Sequence, residues 1–212
     1  PKANRAAFYL GNGGWDDQGA ELAGRKHYWH HRSFQVGSVN RDTHDTQNVA
    51  ITGWVPAGKT FRATVRFEDL SREELGGLVA CLALPEKMAL RIGAGKPLGL
   101  GSFASRVTAI TVLDPAARYG RLEAGARAAT NEDVEAWLQA FGGSLLEAYP
   151  PAGSPREAPL SEVPFVAEVV RIASGPPTAL PVQYPPTGFE WFKRNESRRL
   201  AKPLEEQGLP LE

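Results

Sequence analysis

Cysteine is almost missing from this 212-residue sequence: Cys81 stands alone, which excludes an intramolecular disulfide. Its neighbours Leu78, Val79 and Leu82 are apolar, so the thiol is expected in a core. Such cysteine usage fits a reducing, cytoplasmic setting. Long apolar runs are missing too. No stretch approaches the roughly 18 residues that a membrane-spanning helix needs, and no basic start leads into an apolar segment of signal-peptide type. No membrane partner is therefore expected. Surplus charge is also absent, since 24 Lys and Arg balance 24 Asp and Glu. Overall basicity cannot draw the chain to nucleic acid, and any such surface must come from local clustering. The sequence opens on Pro1 and closes on Leu211-Glu212, which reads as a portion of a longer protein.

What is present is organised in segments. Ala6 to Leu10 reads as a short strand entering a glycine-rich loop, Gly11-Asn12-Gly13-Gly14. Across Lys59 to Glu68, Phe61, Ala63, Val65 and Phe67 alternate with Arg62, Thr64 and Arg66, the period of a half-buried strand. Ser71 and Glu74 then form a capping box, and Leu75, Leu78, Val79 and Leu82 follow at helical spacing until Pro85. Ala89 to Ile92 is a short apolar segment, and a glycine-rich stretch leads from it into Phe103 to Leu113. That run is rich in β-branched residues and is expected to be a strand. Strand, capped helix, glycine loop and strand make the second half of a ferredoxin-like βαβ unit.

Beyond Asp114-Pro115 the character changes. Thr130 is expected to cap a helix carrying Val134, Trp137, Leu138 and Phe141, broken at Gly142-Gly143, with a resumption to Tyr149 left open. Ten of the 17 prolines lie between Pro150 and Pro186, which predicts extended or looped chain. Within it, Ser161 to Ala173 reads as a short helix with Pro164 in its first turn. Gly188 to Leu200 reads as a last basic helix. The expected organisation is one domain over residues 1–114 and a helical, proline-rich extension over 115–212.

Three motifs bear on chemistry. Gly93, Gly95, Gly99 and Gly101 surround Lys96 and end at Ser102. Glycines permit positive φ and close approach, so backbone N–H groups can converge on a phosphate while Lys96 supplies charge. The plainer reading is a turn between two elements. The stretch is no nucleotide-triphosphate P-loop, because Leu90 and Pro97 occupy positions that need glycine and Ser or Thr. Gly99 to Ala104 fits the relaxed dinucleotide fingerprint, but it opens a β-branched run instead of a helix. The second motif is Arg25-Lys26-His27-Tyr28-Trp29-His30-His31-Arg32. Cations beside stackable rings suit single-stranded RNA; an amphipathic strand with Tyr28 and Trp29 in the core accounts for the same residues. His27, His30, His31 and Asp45 also admit a metal reading, without the cysteines or regular spacing that would mark one. The third motif is the tail, Gly188 to Arg199, whose basic residues read either as a solvated helix face or as RNA contacts.

Taken together, Gly24 to His31, Phe61 to Leu78, Ile92 to Ser102 and Tyr184 to Asn195 resemble the CRISPR-associated RAMP superfamily, specifically a type III RAMP-family carboxy-terminal region. The resemblance implies an α+β, ferredoxin-like (RRM-related) RAMP domain. It implies binding of CRISPR RNA within a multisubunit antiviral ribonucleoprotein, with other effector subunits as partners. Carried onto this sequence, guide-RNA contact falls on Gly93, Gly95, Lys96, Gly99, Gly101 and Ser102. The basic-aromatic run adds Arg25, Lys26, Tyr28, His30 and His31. No catalytic residue, metal ligand or cofactor is assigned. The alternatives are an RNA endonuclease of the same superfamily, acting through His27, His30 or His31, and a structural module whose aromatics bind protein.

Overall fold

The computed structural model describes residues 10–22, 27–31, 53–121, 125–151, 161, 163–175, 193 and 194. They form an α+β structure of helices and small antiparallel sheets, each of two strands. The chain divides into two compact units: residues 1–35, 87–103 and 164–212 make one, and 36–86 with 104–163 make the other.

The second unit is built on two capped helices. Helix α1 (Arg72–Leu82) starts where the Ser71 hydroxyl accepts the Glu74 N–H at 3.2 Å and the Glu74 carboxylate accepts the Ser71 N–H at 2.8 Å. Two orphan donors of the first turn are thereby satisfied. The longer helix (Asn131–Ala148) starts in the same way at Thr130 and Asp133. Leu75, Val79 and Trp137 form the buried core between them, flanked by Leu78, Ile110, Val112, Ala129, Val134 and Leu138. Each of the three buried side chains contributes about 1.5–3 kcal/mol. The close crossing depends on Gly76, where a Cβ would overlap the Trp137 carbonyl.

Several expectations are corrected in this unit. Lys59 to Glu68 is not a strand: no described segment pairs with it, and every residue is exposed, Phe61 at 77%. Alternation specifies two faces, but a strand needs an edge to bond to. Cys81 is exposed, not in the core. It lies two residues past Val79, about 200° around the helix from the buried stripe. The longer helix runs unbroken through Gly142 and Gly143. Gly142 is buried there, and packing outweighs the cost of glycine in a helix, about 1 kcal/mol. The expected Phe103–Leu113 strand survives only at its ends, which belong to different sheets: β4 (Ser102–Phe103) and β5 (Thr111–Leu113). Residues on both sides of Asp114 belong to this unit. Strand β5 pairs across that residue with β6 (Ala126–Ala128), and the Asp114 N–H donates to the Gly125 carbonyl at 2.6 Å. A short helix, α2 (Pro115–Gly120), lies between those strands, capped by the Asp114 carboxylate. The longer helix is therefore α3.

In the first unit, β1 (Leu10–Asn12) pairs with β2 (Glu21–Leu22), and the Asp17 carboxylate accepts the Gly14 N–H in the turn between them. Strand β3 (Leu90–Arg91) pairs antiparallel with β4 across the glycine-rich stretch. Helix α4 (Pro164–Ala173) carries Pro164 at its start, as its sequence predicts, and the Ala173 carbonyl accepts the Ala89 N–H at 2.9 Å. Of the expected elements, Ala6–Tyr9 and the tail helix lie outside the described residues, except for Lys193 and Arg194, which are helical and exposed.

Candidate nucleic-acid interface

The glycine-rich stretch is the loop of the β3–β4 hairpin, and its shape explains its composition. Gly93, Gly95, Gly99 and Gly101 all have φ between 71° and 92°, a region costly for residues with a Cβ. Gly95 and Gly99 flank a single 3-10 turn, Lys96–Leu98, with Pro97 inside it. The N–H groups of Leu98 and Leu100 donate to the Gly95 carbonyl, and that of Gly99 to the Lys96 carbonyl. Those three donors are used within the loop and are not turned toward a phosphate. The plainer turn reading therefore accounts for the glycines as backbone requirements, and it leaves the loop's outward groups for a ligand.

A second segment lies against this loop. His30 Nδ1 and the Ser102 hydroxyl are hydrogen-bonded at 2.8 Å. A Cβ on Gly99 would come within 2.8 Å of the His31 Cβ and ring. The two motifs singled out in the sequence thus meet, 72 residues apart at the His30–Ser102 pair. His30, His31 and Tyr28 are half-buried, and His27 is exposed. Arg25 and Lys26 lie outside the described residues.

The residue that joins the two segments is Arg91, which sequence reasoning missed. Its Nη1 donates to the Lys96 carbonyl at 3.1 Å and to the Leu100 carbonyl at 2.9 Å, and its Nη2 donates to the Trp29 carbonyl. The planar fork of guanidinium suits several acceptors at once. The available signal was one charged residue inside the apolar run Ala89-Leu90-Arg91-Ile92. Its buried Nε has no acceptor among the described residues.

The electrostatics are cationic. Burial, then the Arg91 charge, lowers the pKa of His30; a hydrogen bond to the Ala89 backbone opposes the shift, and His31 adds to it. Burial, then Arg91, lowers the pKa of His31. Both rings are held toward the neutral form, and a neutral His30 accepts the Ser102 proton at Nδ1 when its own proton is on Nε2. No carboxylate among the described residues figures in either shift. No group of three His, Cys, Asp or Glu side chains among the described residues is arranged to hold a metal. No described helix is long and apolar enough to cross a membrane.

The chain matches no protein-family model, and no curated protein matches it.

Proposed function

We propose that this chain binds single-stranded RNA at the surface where His30 and His31 meet the β3–β4 loop. In full, the reading is a ferredoxin-like RAMP domain that holds CRISPR guide RNA in a type III-like effector complex, in the cytoplasm, beside other subunits. The observation that carries it is the convergence of two sequence-remote motifs, the basic-aromatic run and the glycine loop, around Arg91. Half-buried imidazoles and Tyr28 offer rings for unstacked bases, and Lys96 supplies a charge for the backbone. The test is fluorescence anisotropy of a labelled single-stranded RNA against salt. Log affinity should fall linearly with log salt, by about 0.7 per phosphate neutralised. Salt-insensitive binding, or equal binding to a neutral polymer, would remove the reading. Sequencing of RNA that co-purifies from the native host tests the guide identity, with repeat-derived sequences expected.

A second reading has one observation in its favour. His30 and His31 are adjacent, and burial and then the Arg91 charge push both toward the neutral form, as suits an RNA endonuclease that transfers protons next to a phosphate. It requires RNA cleavage that is lost in His30→Ala or His31→Ala while RNA affinity persists.

A further inference from the structure

His30, His31 and Arg91 bring three basic side chains together, and no acidic side chain among the described residues figures in the shifts of the two histidines. From β3, Arg91 acts on both imidazoles; from β4, the Ser102 hydroxyl bonds His30 Nδ1; from the loop, the Gly99 backbone abuts His31, and Lys96 is that loop's own cation. Their own segment adds the exposed His27 and the half-buried Tyr28. No described carboxylate balances these groups, and the Arg91 Nε lacks an acceptor.

We propose that the His30–His31 pair is a proton-linked phosphate site, in which an RNA backbone phosphodiester is bound together with protons taken up by the two rings. This rests on the RNA-binding reading and adds to it a ligand group and a pH dependence. In the free chain, burial and then the Arg91 charge disfavour protonation of either ring, and no carboxylate among the described residues offsets them. A phosphodiester supplies the missing negative charge and raises both pKa values, so the bound state holds more protons than the free one. Affinity must then rise as pH falls from above the bound-state pKa, and level off below the free-state pKa. The Ser102 contact adapts to either state. Its hydroxyl donates to neutral His30; once Nδ1 is protonated, the ring donates instead, and the hydroxyl proton is free to turn to the phosphate.

The experiment is isothermal titration of the full chain with a short oligouridylate bearing no terminal phosphate, in buffers of different ionisation enthalpy. Uptake of up to two protons per site, one for each ring, is expected between the free-state and bound-state pKa values, with affinity rising up to about tenfold per pH unit for each proton taken up. His30→Asn with His31→Asn keeps polar side chains and removes the titration, and should abolish both effects. NMR titration of the histidine Cε1–H signals of the unaltered chain reads the same event without a variant, as two pKa values raised by RNA. RNA binding that is independent of pH, or uptake that persists in the double variant, would overturn the proposal while leaving RNA binding intact. Absence of RNA binding at every pH would overturn the RNA reading and this proposal together.

Discussion

The Arg91 guanidinium donates to the carbonyl of Trp29, a residue 62 positions earlier in the chain. With its bonds to the Lys96 and Leu100 carbonyls, this one side chain fastens the histidine segment to the β3–β4 loop. Arg91→Met should therefore loosen both. Hydrogen bonds from a charged donor contribute about 1.5–3 kcal/mol each, so hydrogen exchange should lose protection at Leu98, Gly99 and Leu100. The α1–α3 core, which belongs to the other unit, should keep its protection. Arg91→Lys should recover only part of the loss, because an ammonium lacks the planar fork. Unchanged exchange in the loop would refute this anchoring role.

Two helical glycines should respond to alanine with opposite signs. A Cβ at Gly76 would overlap the Trp137 carbonyl, which is backbone and cannot swing aside. Gly76→Ala should push α1 from α3 and cost about 2 kcal/mol or more, within the range of overpacked cores. Gly143 is exposed within α3, with nothing within 4 Å of its Cβ position. Gly143→Ala should stabilise by about 0.5–1 kcal/mol through helix propensity. Urea unfolding of the two variants checks the ordering.

Local features were the legible ones. Ser71–Glu74 and Thr130–Asp133 span three residues each, so a cap is readable wherever its partners are neighbours. The Phe61–Phe67 alternation was equally clear, yet a strand is a pairwise property and no described partner pairs with it. Phe61→Ser should accordingly change the stability of this chain by less than about 0.5 kcal/mol, whereas Leu75→Ala should cost about 2–5 kcal/mol. The site followed the same division. Both of its motifs stood out as composition, but their meeting depends on Arg91 and on contacts across 62 and 72 residues, and no local pattern encodes those. The four glycines signalled an unusual backbone, while the carbonyls that occupy the loop's N–H groups became visible only in three dimensions.

Acid should weaken the start of α3. The Arg127 guanidinium, and then the Thr130 backbone N–H, hold the Asp133 carboxyl well below the usual carboxylate range. A depressed folded-state pKa gives stability that is present above the unfolded value, about 3.9, and lost as pH falls through the folded value. Asp133→Asn should flatten the acid limb of the stability curve below about pH 4. Thermal midpoints of both proteins across that range provide the comparison, and an unchanged acid limb would count against the pairing.

Lys96 and the loop glycines should separate charge from shape. Lys96 sits in the single 3-10 turn, where its carbonyl serves Arg91 while its side chain supplies charge. Lys96→Ala should weaken RNA binding across sequences and reduce the salt slope by about 0.7. It should leave the thermal midpoint nearly unchanged, since the backbone contact is kept. Gly93 has φ 78° but open space around a Cβ, so Gly93→Ala should cost only the left-handed strain, about 1–2 kcal/mol. At Gly101 the same strain, at φ 82°, is joined by overlap with the Ile92 carbonyl, whose N–H is bonded to the Gly101 carbonyl at 2.9 Å. Gly101→Ala should therefore cost more stability than Gly93→Ala, and it should disturb the adjoining Ser102–His30 contact. Its RNA affinity should fall further than that of Lys96→Ala. Affinity and thermal midpoint measured on the three single variants decide the matter. If all three fold and bind RNA like the parent, the loop is only a turn and the RNA surface lies elsewhere on the chain.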